Sequence, residues 1–169
     1  MMIWVDILVA LVLFFSFIGG LKEGAVKSFF SLLAFLIALP LSGLSYRLLA
    51  NLLSFLPGTD WENFIGFFIA LGIISVILSL IFIIPRKLIE KIWGGGVFFR
   101  LIGAIISLLN AALGLTVFAL IVKAYPIFGW LESAVNGSGI FTWLVTNFGF
   151  IYVLLPNILP GRITVLIFN

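Results

Sequence analysis

The sequence predicts an all-α, polytopic membrane bundle of four transmembrane helices followed by a C-terminal interfacial helix. Composition is the first reason. Apolar residues make up 64% of the 169 residues and charged residues 9%, against about 45–50% and about 25% in soluble domains. A domain of this size has too little interior to hide that excess, whereas a bilayer core about 30 Å thick is an apolar solvent for helices of about 20 residues. Run length is the second: uninterrupted apolar stretches lie at Ile7 to Leu21, Ser28 to Tyr46, Asn63 to Pro85 and Leu101 to Val122. The third is backbone satisfaction. Lipid offers no partner for N–H and C=O groups, so a crossing segment closes its own hydrogen bonds as a helix.

The first span, 3–21, extends outward through Trp4 and carries one charge, Asp6. A signal peptide needs positive charge before its apolar region. Here Lys22 and Lys27 come after it, so the segment reads as a retained helix. Asp6 lies two residues from Trp4, at headgroup level, where it is expected to cap or hydrate the first turn. The second span, 28–48, contains Pro40, which removes a helical N–H and predicts a kink. Pro57-Gly58 separates it from the third span, 63–85, which Pro85 is expected to end.

Residues 86–93 set Leu88 with Ile92, and Ile89 with Trp93, on one face, with Arg86, Lys87 and Lys91 opposite. That pattern predicts an interfacial amphipathic turn that serves to anchor the topology; the further reading is that its basic side holds anionic lipid headgroups, worth about 1 kcal/mol per basic residue. Trp93-Gly94-Gly95-Gly96 reads as a joint before the fourth span, 98–122. Residues 1–125 thus form the transmembrane domain and 126–169 an extracytoplasmic tail. Within the tail, Ile140 to Leu155 is apolar but reaches only about 24 Å as a helix. It contains Gly149 and precedes Pro156 and Pro160, so it is expected to lie in the outer interface with Trp143 and Tyr152 as belt residues. The rival reading is a fifth span that places Arg162 in the cytoplasm.

Lysine and arginine in short loops set orientation. The links holding Lys22 and Lys27, and Arg86, Lys87, Lys91 and Arg100, are therefore expected in the cytoplasm, with both termini extracytoplasmic.

The chain has no cysteine and no histidine, which removes thiolate, imidazole and zinc chemistry together. No catalytic, cofactor-binding or metal-binding residues are expected, and no basic stripe suits nucleic acid. The most polar side chain deep in a span is Asn110, for which an interhelical hydrogen bond is expected. Small residues recur every four positions: Ser16, Gly20 and Gly24; Ala34, Ala38 and Ser42; Gly66 and Ala70; Gly103, Ser107 and Ala111. Such stripes let backbones touch, within one chain or between copies.

Trp4 and Asp6 as W-x-D, then Ser16, Gly20, Gly24 and Lys27, resemble the opening of the colicin V production (CvpA) family of bacterial inner-membrane proteins. Arg100 with Gly103, Ser107 and Ala111 resembles that family's second signature, an Asp-Arg pair followed by glycines at helical spacing. Phe99 stands in place of the acid, and Ser107 in place of a glycine. The resemblance implies a protein of the bacterial cytoplasmic membrane, required for making and exporting a peptide toxin, with no established catalytic activity. It implies that these positions are structural signatures. Family modules also occur joined to extracytoplasmic protease domains, which suits an outer C-terminus.

The expected function is a non-enzymatic scaffold or accessory factor in colicin V-like toxin production or export and envelope maintenance. Its partners would be lipids, further copies of itself or another membrane protein. The alternative is an oligomeric small transporter or channel subunit, with Asn110 and the Pro40 kink lining a path.

Overall fold

The computed structural model describes residues 3–52, 59–92 and 96–155. The expectations at Pro57-Gly58, Trp93 to Gly95, Pro156, Pro160 and Arg162 lie outside the described residues. The elements are α1 (Ile3–Leu52), α2 (Thr59–Ile81), α3 (Ile83–Ile92), α4 (Val97–Ala124), α5 (Gly129–Gly137), α6 (Gly139–Phe148) and a 3₁₀ segment (Gly149–Leu154). The fold is an all-α membrane bundle.

At 1.5 Å per residue a straight 50-residue helix would measure about 75 Å, more than twice the hydrocarbon thickness. α1 avoids this by breaking at Gly24, where φ is 79° and ψ 169°. That region is open essentially to glycine alone. The link expected over residues 22–27 is thus a single residue, because helical geometry resumes immediately on either side.

Neighbours along α4 show that the two arms of α1 fold back on each other. Gly20 of the first arm packs on Gly103, whereas Val9 and Val12 sit with Leu115 and Phe118. The second arm runs the other way, bringing Ser31 to Asn110 and Phe35 to Gly114. One arm is therefore antiparallel to α4 and the other parallel, giving two crossings. α2 returns against the second arm, with Gly66 beside Ala50 at one end and Phe30 5.5 Å from Phe82 at the other.

Leu39, Phe67, Val117, Leu120 and Ile121 are buried at the centre. The outer faces stay apolar: Ile7, Leu11 and Phe15 on the first arm, and Ile73, Ile77 and Ile81 on α2, are exposed. Exposed apolar surface this continuous is what lipid covers. The chain is a multi-pass membrane protein.

The element boundaries correct several expectations. The third span ends at Ile81 rather than at Pro85, which sits in the first turn of α3, where the N–H has no intrahelical acceptor to lose. Helical dihedrals continue through Pro40; within α1 the break is at Gly24. In place of one interfacial helix, residues 129–154 form α5, α6 and the 3₁₀ segment, with the pair bent by 78° at Ser138. The bend brings Phe141 to 6.2 Å from Phe118, which lies about 9 Å along the axis from the end of α4 at Ala124. This region therefore dips along the flank of the bundle.

Candidate functional site: the two ends of the bundle

Charge is divided between the two ends. One end gathers Lys22, Lys27, Arg86, Lys87, Lys91 and Arg100 with only Glu23 and Glu90. The opposite end holds Asp6, Asp60, Glu62 and Glu132 with Arg47 and Lys123.

At the basic end the chain is closed by backbone contact. A methyl group added to Gly20 would lie 2.6 Å from Ala104 Cα and Ser107 Cβ. One added to Gly103 would lie 2.7 Å from the Gly20 carbonyl and 2.8 Å from Ala25 N. Real Cβ atoms do not approach so closely, so only glycine permits this crossing of α4 over the turn of α1. The small-residue stripes at Gly20, Gly24, Gly103 and Ser107 thus meet within one chain.

Around this seam Lys27 pairs with Glu23 at 2.6 Å, and Arg86 lies 3.5 Å from Glu90. The side chains of Lys22 and Arg100 make no ion pair or hydrogen bond among the described residues. Arg86, Lys87 and Lys91 all belong to α3, which is strongly amphipathic. Its Ile84, Leu88 and Ile89 are exposed, as suits a helix lying at an interface.

The acidic end is closed by hydrogen bonds. Asp6 accepts from the Ser138 hydroxyl and, at 3.0 Å, from the Ile140 N–H. Ser138 itself accepts from the Phe141 N–H at 3.1 Å, as the N-cap of α6. Asp6 therefore caps a helix that begins 133 residues later, rather than its own first turn. The reason is geometric: the bend at Ser138 points free α6 N–H groups, the positive end of that helix dipole, at the carboxylate. Trp4, two residues away, is exposed beside α5. Nearby, Arg47 donates to the Tyr46 hydroxyl at 3.3 Å. Burial, reinforced by Tyr46, pushes the Tyr125 hydroxyl above its ordinary range.

Between the ends polar groups are few. Asn110 donates to Ser31 at 3.4 Å, joining α4 to the second arm. Ser42 and Thr116, both buried, bond to the carbonyls of Ala38 and Ala112 in their own helices. Ser16 and Ala111 are half-buried. Among the described residues no group of three or more His, Cys, Asp or Glu could hold a metal ion.

Sequence reasoning missed Ser138 and Ile140 as the partners of Asp6. A serine before an apolar run is a helix-start signal that marks Ser138. Nothing in the sequence pairs it with a residue so far away.

The family model described as "Colicin V production protein" matches residues 5–149. No curated protein and no solved structure matches the chain.

Proposed function

Starting from the fact that this chain belongs to the colicin V production (CvpA) family, we propose that it is a non-enzymatic membrane scaffold or accessory factor. It supports toxin production or export and envelope maintenance from the bacterial cytoplasmic membrane. One observation carries this reading. The polar side chains that make hydrogen bonds in and beside the spans turn to the protein itself: Asp6 to α6, Asn110 to Ser31, and Ser42 and Thr116 to carbonyls of their own helices. Intramembrane catalysis and conduction both need polar groups directed at a substrate or a path.

The basic end faces the cytoplasm and the acidic end the outside, because lysine and arginine resist transfer across the membrane during insertion. Arg86, Lys87 and Lys91 on α3 rest against anionic headgroups of the inner leaflet. The region from α5 onward lies on the extracytoplasmic side, dipping back beside α4.

The alternative of an oligomeric transporter or channel subunit draws on two buried oxygens without a partner, Ser28 Oγ and Asn110 Oδ1. It also needs a free small-residue face for self-association, and Ser107 is already covered by Gly20. Flux measured on purified protein in liposomes separates the two readings. The scaffold reading predicts no ion or solute movement above protein-free vesicles. Flux abolished by Asn110→Leu would establish the alternative.

A further inference from the structure

An apolar groove of about 450 Å³ opens at the basic end between the second arm of α1, α3 and α4. Its walls include Ala25, Phe30, Ile89, Phe99 and Ile106, and every side chain lining it is apolar. A second pocket of about 230 Å³ adjoins it and shares Ala25, Val26 and Phe99 with it. The second pocket adds Lys22, Glu23, Glu90 and Arg100. The two form one continuous depression, oily at one end and charged at the other.

The charges at that end are sorted by their neighbours. Glu23 is neutralised by Lys27 across the break at Gly24, and Glu90 by Arg86 within α3. Lys22 and Arg100 are exposed and carry the positive charge left over. The ligand that fits has an anionic group for these two cations and a hydrocarbon chain for the groove beside them.

From this we propose that the basic end is a binding site for a single anionic phospholipid, with its phosphate between Lys22 and Arg100 and one acyl chain in the groove along Phe30, Phe99 and Ile106. Charge complementarity selects the headgroup. Three helices enclosing the groove distinguish this lipid from the annular layer around the bundle. A soluble anion would leave the groove empty, and a zwitterionic lipid would bring its own cation beside Lys22 and Arg100. This site is distinct from the outer face of α3, where Lys87 and Lys91 meet headgroups without a groove. It depends on the membrane fold and stands whether or not the scaffold reading does.

Native mass spectrometry of the full chain, released from detergent after titration with phosphatidylglycerol or phosphatidylcholine, tests the site. The expected result is one tightly retained phosphatidylglycerol per chain and no retained phosphatidylcholine. Lys22→Gln with Arg100→Gln should weaken retention roughly tenfold or more. Lys87→Gln with Lys91→Gln should leave it unchanged. Ile106→Trp, which fills the groove but keeps both cations, should also displace the lipid; its monodisperse elution in detergent checks that it folds. Equal retention of the two lipids, or retention unaffected by either the charge pair or the groove variant, would overturn the proposal.

Discussion

The two ends of this bundle are fastened by different physics. At the basic end, Gly20 and Gly103 bring backbones into contact, and the fastening is made of packing, with no hydrogen bond between the two helices at the seam among the described residues. At the acidic end, Asp6 joins Ser138 and Ile140, and the fastening is polar. In lipid the hydrophobic effect does not draw helices together, so close packing and hydrogen bonding are the two forces left. The molecule uses each where it is cheapest. Packing serves the segments that run side by side through the core, and the carboxylate serves a helix end whose N–H groups would otherwise go unpaired.

The comparison predicts an order of effects. Gly103→Leu should be the most damaging change, costing about 3 kcal/mol, because a branched side chain cannot enter where a methyl already meets backbone of both α1 arms. Its measure is the fraction folded in a detergent-denaturation series, and a loss below 1 kcal/mol would break the packing half of the comparison. Gly24→Ala separates crowding from strain, since an added Cβ there meets nothing within 4 Å while φ stays at 79°. A cost of about 2 kcal/mol is expected from the backbone alone, read in the same series.

Asp6→Ala should cost about 1 kcal/mol, in line with the loss of a helix cap. The effect should be confined to α5 and α6. Hydrogen exchange should rise at the α6 amides Ile140 and Phe141 and stay unchanged around Gly103; a uniform rise would show that the acidic end is not a separate fastening. Asn110→Leu should be the mildest, about 0.6 kcal/mol, because membrane hydrogen bonds of this kind contribute little. A loss several times larger in the same denaturation series would mean that Asn110 holds more than Ser31.

How much of this was legible follows the same division. Packing leaves a periodic trace: close approach requires small residues at helical spacing, so Gly20, Gly24, Gly103 and Ser107 stand out in the sequence among several such stripes, but only the fold shows that these four meet within one chain. The apolar runs likewise announced a membrane bundle, since lipid imposes length and composition directly. Hydrogen bonds between distant residues leave no such trace. Asp6 reads as a lone acid near a helix start, and only the fold brings it to Ser138. Prolines misled for a related reason. Pro85 forbids a helical N–H donor but not a helical position, so it sits in the first turn of α3 instead of ending α2. Gly24 was visible as a small residue, yet nothing local says that one glycine can replace a whole loop; that depends on Gly103 packing against the turn.

Within a single chain, α1 is tied to the α5–α6 pair at one end of the bundle. The chain has no native cysteine, so oxidative crosslinking of Asp6→Cys with Ser138→Cys in native membranes reads this directly. The expected product is a disulfide within one chain, seen as a faster-migrating monomer on a non-reducing gel. Crosslinking only between two chains, or none under conditions that oxidise a Ser31→Cys, Asn110→Cys pair, would contradict it.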